Sequence, residues 1–137
     1  MIVGMIFEEQ KEQLLADPHY LALEQKLLSL GGREMVYMPV MPELLDYIRV
    51  RGQSFDAATL RQVKGQPSNC HENVAKRYKQ RKGKERMVHG YGLSDDGLWR
   101  LHSWLIDGSD GVIETTVSRI AYYGIVLEGP LVEWFLG

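Results

Sequence analysis

The sequence predicts an α+β fold, and three observations carry that reading. Residues 1–60 show helix punctuation and apolar residues at helical spacing. A run of good helix formers follows the turn residues Gly65-Gln66-Pro67-Ser68. After Gly83 the pattern changes to short β-prone segments separated by Asp/Gly turns. The chain has 137 residues, 45% hydrophobic and 25% charged, which suits one domain over 1–137 with a core of its own. It excludes a disordered tail, a collagen-like fibre and a coiled coil.

The elements follow in order. Phe7 to Leu15 fits a short helix. Asp17-Pro18 reads as an N-cap with proline at the first helical position, and Tyr20, Leu21, Leu23, Leu27, Leu28 and Leu30 continue the helix to Gly31-Gly32. Met35 to Val40 fits a short strand or an extended segment. Pro42 opens another helix with Leu44, Leu45 and Ile48 on one face, and Ser54 or Asp56 is placed to cap a short helix through Leu60. The part over 65–127 begins with a helix from Asn69 or Cys70 to about Gln80. Strands are predicted over Arg86 to Leu93, Leu98 to Ile106, Val112 to Val117 and Tyr122 to Leu127, as an antiparallel meander. Ser94–Gly97 and Asp107–Gly111 supply its turns.

Charge and targeting signals narrow the setting. The longest apolar runs are too short to span a bilayer, so no membrane is expected. Met1 to Gln10 lacks a basic n-region and reaches Glu8 and Glu9 early, unlike a signal peptide. With one cysteine and no export signal, a reducing cytoplasm is expected. The net charge of −2 argues against a generally basic nucleic-acid binder. Seven Lys/Arg nevertheless crowd the stretch from Lys76 to Arg86. That run reads as a solvated helix end or as a patch for an anionic partner.

Three residues carry possible chemistry. Cys70 stands at a predicted helix start, where unpaired N–H groups and the dipole favour a thiolate. A small buried hydrophobe is the other reading. His102 lies in a strand whose alternation puts Arg100, His102 and Trp104 on one face and the more apolar Trp99, Leu101, Ser103 and Leu105 on the other. The first face suits a cleft wall, with Trp104 lining a substrate groove. A hydrogen-bonded strand histidine is the alternative. Glu114, an acid in a β-prone apolar segment, needs a partner. A hairpin centred on Gly108 puts it directly opposite His102; a one-residue slip puts the two on opposite faces. A thiol, an imidazole and a carboxylate in such settings form a nucleophile, a base and an orienting acid. Cys70, His71, His89 and His102 lack the paired spacing of zinc ligands, so neither metal nor cofactor is expected.

Gln66-Pro67-Ser68-Asn69-Cys70, Leu101-His102-Ser103-Trp104 and Gly111-Val112-Ile113-Glu114-Thr115-Thr116 together resemble the papain-like cysteine superfamily, most closely its transglutaminase-like branch. The resemblance covers roughly residues 65–127. It implies a Cys-bearing helix packed on an antiparallel sheet that carries His102 and Glu114 as catalytic partners of Cys70. The acid is Glu where Asp or Asn is usual, and His71 follows the cysteine where an aromatic is common. The resemblance also implies an oxyanion donor upstream of the cysteine. Gln66 is preferred there over Asn69, and turn or cap chemistry is the alternative for both. The expected function is a thiol-dependent hydrolase or acyltransferase acting on an amide bond of a protein or peptide-like substrate. The alternative is a non-catalytic binding module using the cleft or the 76–86 basic surface for a protein or nucleic acid. Of these partners a nucleic acid is the less expected.

Overall fold

Asp17 caps the first described helix. Its carboxylate accepts from the His19 N–H at 2.7 Å, and Pro18 occupies the first position of α1 (Pro18–Leu30). The computed structural model describes residues 17–137, so the helix expected over Phe7 to Leu15 lies outside the described residues. Helix α1 buries Tyr20, Leu23 and Leu27 and stops at Gly31, whose φ of +138° a side chain would resist. Pro42 opens α2 (Pro42–Arg51), which buries Leu45 and Ile48. Helix α3 (Cys70–Gln80) begins at the cysteine and buries Val74. A fourth helix, α4 (Pro130–Leu136), was not predicted. No described helix is long and apolar enough to cross a membrane.

The strands are β1 (Glu34–Met35), β2 (Gln53–Phe55), β3 (Arg61–Gln62), β4 (Arg86–Leu93), β5 (Leu98–Ile106), β6 (Val112–Glu114) and β7 (Ala121–Val126). They form one sheet in the order β2-β7-β4-β5-β6-β3, with β1 added along β5. The pairs β1–β5 and β3–β6 are parallel and the rest are antiparallel. The fold is therefore mixed helix and sheet, as expected, with two corrections. The first concerns residues 17–60, which are not purely helical. They contribute β1 and β2, and β3 follows just beyond. Ser54 lies within β2, while Asp56 caps a single 3-10 turn, Ala57–Thr59. Strands of two or three residues have no room for a periodic pattern; their partners in β5, β6 and β7 create them.

The second correction is topological. Strand β6 ends at Glu114 rather than Val117, and the chain then crosses so that β7 pairs with β4. The order β7-β4-β5-β6 is that of a Greek key, not a meander. Glycine permits the close pairing: a Cβ on Gly90 would lie 2.3 Å from the Tyr123 carbonyl oxygen, and one on Gly124 2.7 Å from that of His89.

Both faces of the sheet are covered. Met87, Tyr91, Trp99 and Leu105 face the helices and join the larger core with Leu23, Ile48, Val74 and Phe135. Val88, Trp104, Ile106, Val112 and Tyr122 face the other way and close a second core with Phe55. One edge of β5 is occupied by β1 at Leu98 and Trp99 and by β6 at Leu105 and Ile106. Between them, residues 100–104 have no strand partner on that edge. The start of α3 meets the sheet at this window.

Candidate active site

Cys70 is the first residue of α3, and Asn69 before it is the N-cap. The Asn69 carbonyl accepts the Asn73 N–H at 2.9 Å, while its side chain makes no capping bond. The N–H groups of this first turn have no intrahelical acceptors. The Cys70 sulfur interacts with the His102 imidazole and with the backbone N–H groups of Ser103 and His71. Ser103 belongs to the open window of β5, so its N–H is free to reach the sulfur. Burial pushes the thiol up. The imidazole and the two N–H groups outweigh that and hold it below its ordinary value.

His102 is 1% exposed. Its Nε2 lies 2.8 Å from Glu114 Oε1, leaving Nδ1 as the ring nitrogen available to the thiol. The hairpin is centred one residue later than expected. Leu105 pairs with Ile113 and Ile106 with Val112, so His102 and Glu114 meet diagonally rather than directly across. The shift preserves the face because it moves the pairing by two residues. The longer glutamate side chain spans the diagonal. Burial lowers the His102 pKa, but Cys70 and Glu114 raise it above the ordinary histidine value.

Glu114 is fully buried and accepts four hydrogen bonds. Besides His102, the Tyr122 hydroxyl donates at 2.7 Å, and the Thr116 N–H and hydroxyl donate at 3.0 and 3.1 Å. Burial pushes this carboxyl up. His102 and the three other donors overcome that and hold it below the usual range. Among its hydrogen-bond donors, the imidazole is the one that can carry a positive charge.

Trp104 does not wall an open cleft. It is fully buried in the second core, its ring 5.8 Å from that of His102, 4.9 Å from Tyr122 and 5.9 Å from Phe55. Alternation placed it correctly beside His102, but β2 and β7 cover that face. It packs the imidazole in place.

Cys70, His102 and Ser103 line a cavity of about 340 Å³ whose apolar wall is Val36, Met38 and Leu101. Gln66 is not among its lining residues. Its backbone is bound both ways by Asn73, whose Oδ1 accepts from the Gln66 N–H at 3.0 Å and whose Nδ2 donates to its carbonyl at 2.8 Å. Gln66 lines a separate cavity on the outer side of α3 with Lys64, Lys76 and Arg77. The turn chemistry weighed for Gln66 is what its backbone displays.

Sequence reasoning passed over His89 except as a zinc ligand. It lines the thiol cavity and is 6% exposed, and its Nδ1 lies 2.9 Å from Ser103 Oγ. Burial, then the imidazoles of His71 and His102, push its pKa down to about 4. The signal was available: His89 shares a face with the core residues Met87 and Tyr91 by simple alternation. The C-terminal helix completes this corner. Phe135 stacks on His71 at 3.8 Å, and Trp134 meets His89 edge-on at 5.7 Å. No three His, Cys, Asp or Glu side chains among the described residues group as a metal site.

Three of the seven basic residues between Lys76 and Arg86 have acidic partners: Arg77, Arg81 and Arg86. Glu85, 4% exposed, takes Arg77 at 2.7 Å, Arg81 at 3.3 Å and Arg61 at 3.5 Å, and Arg86 pairs with Asp110 at 2.6 Å. Comparison with known proteins finds no match to this chain among protein-family models, curated proteins or solved structures.

Proposed function

We propose that this chain is a thiol-dependent enzyme that acts on an amide bond through Cys70, His102 and Glu114, on a papain-like frame nearest the transglutaminase-like branch. One observation carries the reading. A buried imidazole is bound at Nε2 by an ionised carboxylate and leaves Nδ1 to the only cysteine, which starts a helix. A hydrogen-bonded strand histidine needs no thiol, and a buried structural cysteine needs no imidazole. The opposing directions of their pKa shifts favour a thiolate beside an imidazolium.

The chemistry follows from these atoms. The sulfur attacks the amide carbon, a C–S bond forms, and the carbonyl π electrons move to oxygen. As that oxyanion collapses, the C–N bond breaks and His102 gives its proton to the departing nitrogen. Water or an amine then attacks the thioester carbon while His102 takes its proton, and a C–O or C–N bond forms. As the second oxyanion collapses, the C–S bond breaks and Cys70 leaves as the thiolate beside the imidazolium. Glu114 holds the ring orientation and stabilises the imidazolium throughout. The substrate is a protein or peptide-like amide. A reducing cytoplasm would keep the thiol available.

The test is the rate at which iodoacetamide labels Cys70 near neutral pH, with the site identified by mass spectrometry. Labelling well above the rate of free cysteine, slowed by His102→Ala, is expected. Labelling no faster than free cysteine overturns the proposal.

A further inference from the structure

We propose that His89 is a further catalytic residue, a neutral imidazole whose Nε2–H binds the oxyanion formed at the Cys70 thioester centre. This rests on the thiol-enzyme reading above and assigns the donor that reading lacks. Gln66, the residue first considered, borders the basic cavity outside α3 and not the thiol's cavity.

His89 and Ser103 are cross-strand partners on the face of the sheet toward α3. Ser103 stands between the two groups: it lines the cavity with both Cys70 and His89, its N–H is among the groups that favour the thiolate, and its hydroxyl lies 2.9 Å from His89 Nδ1. With Nδ1 engaged, Nε2 is the ring nitrogen without a hydrogen-bond partner among the described residues, and the residue borders the cavity that holds the thiol. Trp134 and Phe135 grip the ring edge-on at 5.7 and 5.9 Å, so the donor is held before substrate arrives.

The ring's charge state suits the task. The ionisable groups that share its cavity are Cys70, His71, His102 and Arg100, and no carboxylate is among them. Burial and those imidazoles push its pKa down to about 4, which keeps it neutral near neutral pH. A neutral imidazole donates from one nitrogen only. No other acceptor faces the Ser103 hydroxyl among the described residues, so we assign it as the donor to Nδ1, the tautomer that carries the proton on Nε2. A second cation here would also discourage the imidazolium of His102; a neutral donor does not. In the step itself, the Cys70 thiolate forms the C–S bond, the carbonyl π pair moves to oxygen, and His89 Nε2–H donates a hydrogen bond to that oxygen without surrendering its proton. The C=O bond reforms as the leaving group departs, and the hydrogen bond weakens again.

Two reagents separate this function from the reactivity of the thiol. p-Nitrophenyl acetate acylates Cys70 through a tetrahedral oxyanion; iodoacetamide alkylates it by displacement at a saturated carbon, with no oxyanion. In the full chain, His89→Leu is expected to slow acylation by about 10²–10³-fold and to leave alkylation within about twofold of wild type. His89→Gln, which keeps an N–H near the same position, is expected to recover at least about tenfold of that loss. Ser103→Ala leaves the ring in place and removes the hydroxyl that sets its tautomer. It decides the matter should the leucine variant be unfolded by circular dichroism, with an expected fall in acylation of about tenfold and alkylation unchanged. Acylation that is unaffected, or that falls in step with alkylation, overturns the proposal. Wild-type Cys70 that neither acylates nor alkylates faster than free cysteine overturns the thiol-enzyme reading first, and this one with it.

Discussion

Two buried glutamates, one at each end of α3, show what distinguishes a reactive carboxylate from a structural one. Glu85 is 4% exposed and Glu114 is 0% exposed. Both are held below the ordinary carboxylate range. Glu85 achieves this chiefly through Arg77, with Arg81 and Arg61 adding to it, and all three are permanent cations. Its network holds Arg77 and Arg81 of the basic run and ties the end of α3 to the start of β4. Nothing in it can change charge near neutral pH. Glu114 has instead an imidazole, a phenol, a hydroxyl and a backbone N–H. Its charge is balanced by an imidazole that the site holds above its ordinary pKa, and that group faces a thiol. Burial is common to both; the titratable partner makes only one of them a candidate for chemistry.

The comparison breaks most completely at the thiol. Cys70→Ala should lower turnover of an acyl substrate by at least about 10³-fold. Its thermal midpoint should hardly move, because a half-buried thiol at a cavity wall contributes little packing. Calorimetry beside the activity assay checks this; an unfolded variant would make Cys70 a core residue.

Neutralising each glutamate sharpens the contrast. Glu85→Gln should cost about 1–2 kcal/mol in urea unfolding, a modest sum because Arg61 and Arg81 are half exposed, and should leave the pH profile of Cys70 alkylation in place. Glu114→Gln should shift that profile to higher pH. Without the carboxylate, His102 loses the anion that raises its pKa, and the thiol loses the imidazolium that lowers its own. A shift from Glu85→Gln equal to that from Glu114→Gln would erase the distinction drawn here.

Stability should report the site's second imidazole as well. His89 is pushed to about 4, below the ordinary histidine value of about 6.5 that applies when unfolded. The unfolded chain therefore binds more protons between these values, and folding stability falls as pH drops through that window. The loss should approach about 2–3 kcal/mol and should shrink in His89→Gln, as measured by urea unfolding at pH 7, 5.5 and 4.5. His102, raised by its partners, has the opposite sign: its contribution is complete below the unfolded pKa and fades as pH rises through the folded one.

The smallest effect is expected from the basic surface. With Arg77, Arg81 and Arg86 paired to Glu85 and Asp110, nucleic-acid affinity should be no tighter than about micromolar at physiological salt. Anisotropy titration at two salt concentrations checks this. Tight, salt-resistant binding that survives Cys70→Ala would favour a binding module over an enzyme.

Local chemistry made much of this chain legible from sequence. Asp17-Pro18 set the start of α1, Gly31 its end, and the turn before Cys70 the start of α3, because caps and turns depend on neighbouring residues alone. Alternation located β4 and β5, since each strand is long enough to repeat its pattern. The candidate triad was readable as three residue types in three local settings. Long-range pairing decided the rest. Strands β1 and β3 have two residues each and exist only because β5 and β6 supply backbone partners. The same additions leave the window at residues 100–104 through which Cys70 meets His102. The diagonal between His102 and Glu114 depends on a hairpin register that turn composition did not specify. Trp104 became core rather than cleft because β2 and β7, distant in sequence, close over its face. Helix α4 brings Trp134 and Phe135 against His89 and His71. Caps and turns are short-range energies that each residue carries with it; register, burial and the meeting of side chains are properties of backbone hydrogen bonds and packing between segments, which form only when the whole chain has closed.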